Sequence, residues 1–493
     1  MHQAPAARAL RLTVAGGLFI LLATANGAGY RYGASDQAFY IPVVTRALDP
    51  ALFPRDRALI DAEGRLMVMD EILSALVPAT GLSLEALFFI GYLVSLTILW
   101  AGVALIGSRL YRSAWVVAAL GAAFTLRHRI PRTSANSFEP YFHPRMLAFG
   151  LGTLAMAVFL RRRPRTAIAL VAACALIHVT TALWFAVLIG VALAVLDRRW
   201  RPPIAIGAAA AIAVLVAAAT VGPLEGSLAP MDDVWLQAVA SKDSLFATDW
   251  PVWAWVANLG LLAVLWWAHR TRARRGEATP EDAALVWGAT ALVVLFLATL
   301  PLVAAGVSLA VQFQISRVFW LVDFLALVYL LAAFVDGRTP RTAATVAALL
   351  LALSAARGAY IMLVERPERV LFALRLSDSP WDDAMRWMAR RPADVHVLAD
   401  PGHAWKYGTS VRVAAARDVL VEEVKDSALA IYSRDVAVRF VDRIGAIGDF
   451  PALTADQARE LARRYALDYL VTEADLPLPA VYRNEQFRIY ALR

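Results

Sequence analysis

From residue 87 to 106 the chain runs without a single formal charge, and the same holds at 12–25, 204–221 and 283–300. The apolar core of a bilayer is about 30 Å thick and takes roughly 20 helical residues to cross. Runs this long, continuous and free of strict alternation read as membrane helices. Composition agrees: 60% of residues are hydrophobic and 18% charged, against roughly 45–50% and about 25% in soluble domains. A single soluble core is therefore excluded. The formal charge of +8 does not point to nucleic acid, because most arginines sit in short connectors between apolar windows, where they act topologically. Cys174 is the sole cysteine, so the chain holds no internal disulfide and no cysteine-based metal site. Arg8 and Arg11 precede the first apolar run, which reads as an uncleaved first span, a signal peptide being the alternative.

The windows predict about eleven spans: 10–28, 86–106, 113–126, 145–160, 166–177, 181–196, 204–222, 251–268, 283–303, 316–335 and 342–364. A single helix over 166–196 would be about 46 Å long at 1.5 Å per residue, too long for one crossing. Arg161, Arg162, Arg163 and Arg165 precede this interval and Arg198, Arg199 and Arg201 follow it. Both flanks belong on the cytoplasmic side under the positive-inside rule, so the chain is expected to fold back near His178. The connectors holding Arg109 and Arg112, Arg270 to Arg275, and Arg338 and Arg341 then share a side with Arg8 and Arg11. This predicts a multi-pass protein of the bacterial cytoplasmic (inner) membrane, its N-terminus cytoplasmic and its C-terminal domain extracytoplasmic.

The fold class expected is an α-helical polytopic membrane protein with a small C-terminal α/β domain. Residues 1–364 form the transmembrane domain with a long first outer loop at 29–85, and 365–493 form the soluble domain. The outer loop reads as two surface helices, one opening at Ser35-Asp36-Gln37 and one over 66–77, with turns at Pro50 and Pro54. In the tail, helices are expected at 381–390, 429–444 and 454–465, and extended segments at 395–399, 411–415, 469–472 and 487–492. Thr454 and Gln457 have the spacing of a capping box. No internal repeat, glycine-rich phosphate loop or hydrolase triad spacing is present.

Asp36 follows the first span closely and is expected at the outer aqueous boundary. It reads either as a general base for an acceptor hydroxyl or as a helix cap before Ala38-Phe39-Tyr40. Arg127, His128, Arg129 and Arg132, followed by Glu139, Tyr141, Phe142, His143 and Arg145, fill the loop after the third span. Outer arginines run against the positive-inside bias. They suit an anionic ligand, because the guanidinium fork matches phosphate oxygens, with Tyr141 and Phe142 at headgroup level. Alternatively they belong to a solvated loop paired with acids. His178, Gln314 and Arg317 are polar groups at helix breaks, and Asp323 lies deeper. Arg317 and Asp323 are six positions apart and so on different helical faces, and each needs a partner elsewhere. No metal-ligand spacing links His128, His143 and His178. In the tail, Asp400, His403, Lys406, Lys425 and Asp426 lie near strand ends, with spacing that defines no reaction.

The stretch from Gly33 to Tyr40, the broken helices, and tail segments such as Trp381-Asp-Asp-Ala-Met-Arg-Trp387 and Tyr469-Leu-Val-Thr472 together resemble the GT-C class of polyprenyl-phosphate-sugar-dependent membrane glycosyltransferases. The stretches Tyr40-Ile-Pro, Pro54-Arg-Asp56 and Phe142-His-Pro-Arg145 are similar to an uncharacterised bacterial multipass family grouped with that class. The resemblance implies a GT-C-like fold and transfer of a sugar from a polyprenyl-phosphate carrier to an envelope glycan, lipid or protein acceptor on the outer face of the membrane. It implies Asp36 as general base, and Arg317 at the carrier phosphate. Arg129, Arg132, His143, Arg145, His178 and Gln314 are the remaining candidates for lipid-phosphate binding. Many members carry two adjacent acids where this chain has Asp36-Gln37, so the expectation is a metal-independent reaction with no metal site. No cofactor is expected beyond the lipid-linked sugar donor as substrate, and no nucleic-acid partner. The competing class is a non-catalytic lipid or solute transporter or binding protein, for which paired half-helices or pseudo-repeats would be the sign.

Overall fold

The computed structural model describes residues 5–64, 68–111, 113–222, 224–335 and 338–493. Arg112 and the start of the helix expected from Leu66 lie outside the described residues, as does the Arg8 side chain. The chain forms two compact units: the first holds 1–30, 91–231 and 243–372, and the second holds 31–90, 232–242 and 373–493. The second unit thus joins residues 31–90 and a short piece of the connector after residue 222 to the tail.

The apolar helices fall where the windows predict. They are Pro5–Asn26, Leu84–Leu110, Ala114–Thr125, Pro144–Phe159, Pro164–Ile177, Val179–Leu196, Arg201–Val221, Val252–Arg274, Pro280–Ala304, Val318–Val335 and Pro340–Tyr360. Among the described residues, eight helices are long and apolar enough to cross a membrane, with Ser308–Val335 counted as one, and three are shorter. The break expected near His178 falls on that residue, whose φ of −157° and ψ of 101° end one helix and begin the next.

Within the first unit, Val318–Val335 is the central helix, with Phe319, Leu321, Val322, Val328 and Tyr329 fully buried. Phe149 stacks on Trp320 with ring centroids 4.0 Å apart, and Phe124 stacks on Phe324 at 4.7 Å. Close helix approach requires small residues. A Cβ on Gly288 would stand 2.4 Å from the Leu188 carbonyl oxygen, and one on Gly152 would strike the Phe185 ring at 2.1 Å. Small residues at such positions supply association in lipid, where apolar burial drives little. Polar groups inside the unit find partners: Tyr329 donates to Asp282 at 2.8 Å, and Arg272 donates to the same carboxylate at 3.3 Å. Arg201–Val221 stays largely exposed, with Ile206, Ile212 and Val214 uncovered, as suits a helix facing lipid.

The second unit is built on a five-stranded mixed sheet. Its strands are β1 (His396–Leu398), β2 (Asp418–Val419), β3 (Tyr469–Thr472), β4 (Ala480–Arg483) and β5 (Arg488–Ala491), in the order β2-β1-β3-β5-β4. β1 runs parallel to β2 and β3, and β5 antiparallel to β3 and β4. Strand alternation sorts neighbours to opposite faces. Val397, Val471 and Ile489 pack with Trp381, Met385 and Met388, while Leu398, Leu470 and Tyr490 pack with Phe450, Leu461 and Leu467.

Several local readings need correction. Residues 411–415 are not extended: Val411–Ala414 is a helix whose cap, Ser410, accepts from the Arg412 N–H at 3.1 Å. Alternating valines mimic a strand, but the helical turn carries Arg412 into a buried ion cluster. The helix expected over 429–444 is two, Glu423–Leu429 and Arg434–Ile447, the second capped by Ser433. The Thr454/Gln457 capping box is formed. Between residues 29 and 85 the chain contributes three helices where two were expected, Gln37–Leu48, Arg57–Gly64 and Met69–Thr80.

Candidate functional site

In the second unit, Ser35 takes φ of +52° immediately before the helix Gln37–Leu48. Asp36 stands at the cap position, yet its carboxylate makes no capping hydrogen bond. Instead Lys425, 389 positions away in sequence, donates to Asp36 Oδ1 at 2.8 Å. The Lys425 ammonium also lies 4.6 Å from the Phe39 ring centroid, a favourable cation–π placement. Lys425 is 8% exposed on its side chain and Asp36 28%, so the acid faces solvent more than its partner. Phe39, Pro42, Leu59, Arg412, Lys425 and Leu429 surround a small cavity beside this pair. The capping alternative for Asp36 is thus not what the structure displays. It displays an exposed-edge carboxylate oriented by a buried lysine.

Behind this pair lies a buried charge cluster. Arg412 donates Nε–H to Asp56 at 2.7 Å and grips Asp426 with both terminal nitrogens, at 2.6 and 3.1 Å. Asp56 also accepts from Arg439 and from the Val419 N–H. Burial works against its charge, but Arg412, Arg439 and Arg443 outweigh that cost and hold its carboxyl well below the usual range. Asp418 accepts from the Arg55 and Asp56 N–H groups at 3.0 and 2.9 Å, and burial together with the Asp56 charge pushes its carboxyl up to about 6. The Pro54-Arg-Asp56 stretch therefore ties the outer loop to the tail. Of the other tail candidates, His403 is buried, its Nε2 accepting from the Val411 N–H at 3.2 Å, and Lys406 pairs with Asp400. These are structural bonds.

In the first unit, the arginine loop is a tight hairpin. Two-residue strands at Arg129–Ile130 and Ala135–Asn136 pair antiparallel, with Arg132 and Ser134 at positive φ in the turn. Arg129 is exposed, and Arg132 donates to Asp243 at 2.7 Å. Glu139, 4% exposed, accepts from Arg127 at 3.2 Å, Asn136 at 2.9 Å and Arg145 at 3.5 Å. Acids thus brace part of this loop, through Glu139 and Asp243. Tyr141 and Phe142 are buried within the protein. Asp323 finds its partner in His128, with Nε2 3.1 Å from both carboxylate oxygens. That contact raises the His128 pKa above its ordinary value.

The histidines His143 and His178 each cap a helix. His143 Nδ1 accepts from the Arg145 N–H at 3.1 Å, with Pro144 at the first helical position, and His178 Nδ1 accepts from the Thr181 N–H at 3.3 Å. Accepting at Nδ1 assigns the proton of each neutral ring to Nε2. Loss of hydration, then the charges of His143, Arg145 and Arg317, hold His178 well below its ordinary pKa. Four cationic or potentially cationic groups from three chain segments, His143, Arg145, His178 and Arg317, thus converge. Arg145, 4% exposed, also lies with its guanidinium 5.6 Å from the Trp320 ring centroid. Gln314 has φ of +48° and sits at the break between Ser308–Gln312 and the short turn Ile315–Arg317, a backbone state that costs energy in a non-glycine residue. Among the described residues, no three His, Cys, Asp or Glu side chains converge as a metal-ion set.

Arg412, Asp418 and Asp243 are supporting partners that residue patterns alone did not single out, and Lys425, visible in the tail, had no partner assigned to it. The repeated acid and lysine residues of the tail were visible, but nothing in their spacing names a partner hundreds of positions away.

No family model matches the chain, and no curated protein matches it. Among solved structures, the Archaeoglobus fulgidus oligosaccharyltransferase in its apo form is similar, with a TM-score of 0.50 and 12% identity, covering 94% of this chain and 69% of that one. At that identity the likeness is one of fold alone.

Proposed function

We propose that this protein is a membrane glycosyltransferase moving a sugar from a polyprenyl-phosphate carrier to an envelope glycan, lipid or protein acceptor, on the outer face of the bacterial inner membrane, without a metal ion. Asp36 takes the proton of the acceptor. The acceptor oxygen then bonds to the anomeric carbon as the bond from that carbon to the carrier phosphate breaks, and the phosphate leaves with the electron pair. Configuration inverts. His143, Arg145, His178, Gln314 and Arg317 are the groups proposed to receive the phosphate charge, an electrostatic task suited to preorganised donors. Arg129 and Arg132 belong to the same reading, Arg132 after exchanging Asp243 for phosphate.

The observation that carries the proposal is the state of Asp36: a carboxylate at a helix start that is not spent on capping and is oriented by the Lys425 ammonium. The likeness of fold to an oligosaccharyltransferase and the cations grouped around His178 support it from other directions.

Two substitutions test it together. Asp36→Asn and Lys425→Met both remove the ion pair, but only the first removes the base. General base catalysis contributes about 10²- to 10⁴-fold, whereas a partly exposed pair is worth about 1 kcal/mol. Asp36→Asn is therefore expected to fail in complementing the envelope-glycan defect of a deletion strain, while Lys425→Met complements in large part at equal protein level. Full complementation by Asp36→Asn would return Asp36 to a purely structural role. It would also move the reading to a non-catalytic lipid or solute transporter or binding protein.

A further inference from the structure

The helix Val252–Arg274 ends in a run of arginines whose environments differ. Arg272 is buried and committed, donating to Asp282 at 3.3 Å and to the Glu277 carbonyl at 3.1 Å. Arg275 donates to the Ala333 carbonyl at 2.8 Å. Arg270 and Arg274 are exposed, and among the described residues neither has an acidic partner within salt-bridge reach. Four positions apart, they share one helical face. The same face, one and two turns earlier, carries Trp266, Trp267 and Ala263.

These residues, with Thr271, line an open groove of about 420 Å³. Trp266 forms a fixed wall: its Nε1–H donates to Thr290 Oγ1 at 3.0 Å, its ring meets Trp287 edge-on at 5.2 Å, and the Arg270 guanidinium lies 5.3 Å from its centroid. Trp267 is 50% exposed. Along the helix the groove thus changes from apolar and aromatic to cationic within two turns. The helix itself is long and apolar enough to cross a membrane, so this change falls where Trp and Arg mark a bilayer interface.

We propose that this groove is a binding site for an anionic phospholipid, with the phosphodiester held between Arg270 and Arg274, the headgroup beside Thr271, and an acyl chain laid along Trp267 and Ala263. Basic pockets among membrane helices recognise such headgroups. A free phosphate would satisfy the two arginines and leave the tryptophan floor without a counterpart. A zwitterionic headgroup would bring its own ammonium against two guanidiniums. The site stands apart from the sugar-transfer reading and does not depend on it.

The test uses the full chain in detergent with phosphatidylglycerol and phosphatidylcholine supplied in equal amounts, and retained lipid counted by native mass spectrometry. Wild type is expected to retain phosphatidylglycerol preferentially. The double substitution Arg270→Gln with Arg274→Gln is expected to weaken that retention roughly thirtyfold, the product of two charge contacts, while Arg459→Gln on the helix Ala455–Tyr465 leaves it unchanged. Trp267→Ala, with both arginines intact, is expected to weaken it as well, and decides the matter if the double variant is not recovered folded. Equal retention of the two lipids by wild type, unchanged retention in the double variant, or displacement of the lipid by inorganic phosphate would each overturn the proposal.

Discussion

Arg412 is the residue on which the second unit depends most, and Arg412→Met is the perturbation that shows it. Methionine keeps the apolar stem of the side chain, so the change removes chiefly the guanidinium and its charge. Lost are the 2.7 Å bond to Asp56, both bonds to Asp426 at 2.6 and 3.1 Å, and the approach to Glu422 at 3.7 Å. Asp56 keeps Arg439 and the Val419 N–H, but Asp426 is left with the Glu422 N–H at 3.1 Å. Asp56, Asp426 and Glu422 are all 2% exposed or less. Removing one partner of a buried pair costs about 3–5 kcal/mol, a fifth or more of the roughly 5–15 kcal/mol that holds a domain folded. For a unit of this size, each kcal/mol moves the unfolding midpoint by about 2–4 °C, so a fall of roughly 6–20 °C is expected in a thermal scan of the detergent-solubilised protein. Arg459→Met, which breaks an exposed pair with Asp456 at 2.7 Å, is expected to cost under about 1 kcal/mol. Adding Asp426→Asn to Arg412→Met removes the stranded charge and should recover part of the loss, a non-additivity typical of residues in one network. An Arg412→Met midpoint indistinguishable from that of Arg459→Met would refute the reasoning.

The same cluster sets a pH dependence. Asp418, pushed up to about 6, costs stability when it ionises, a cost absent below about pH 4 and complete above about pH 6; Asp56, held low, contributes stability above about pH 4 that is lost as pH falls through its depressed value. Between about pH 6 and 4 the Asp418 contribution therefore grows as pH falls, while buried His396, held down to about 4 by loss of hydration, and His403 lose stability over the same window; Asp418→Asn should make the unit's stability fall more steeply toward acid there, and an unchanged slope in that variant would assign the effect elsewhere. Orientation is open to labelling, because the single native cysteine, Cys174, is buried. A cysteine in place of exposed Glu485 is expected to react with an impermeant reagent in intact cells and one in place of Ala273 is not, the reverse pattern being fatal to the assigned sidedness.

What sequence alone determined was whatever a short window encodes. Charge-free runs of span length located the apolar helices, because the bilayer imposes its thickness on each one separately. Two arginine-rich flanks required a reversal, and the chain breaks at His178. Thr454 and Gln457 cap a helix because both bonds of the box are made within four residues. Tertiary structure decided everything that joins distant windows. Residues 411–415 alternate like a strand but turn as a helix, since Arg412 reaches Asp56 and Asp426 only from that conformation. Asp36 looked like a cap until Lys425 claimed its carboxylate, and Asp323 lacked a partner until His128 came beside it. The first outer loop joined the tail through Asp56, which no local pattern foretold. Ion pairs and buried networks depend on which charges share a dehydrated space, and that is a property of the packed chain, whereas helix length and capping are settled by neighbours along it.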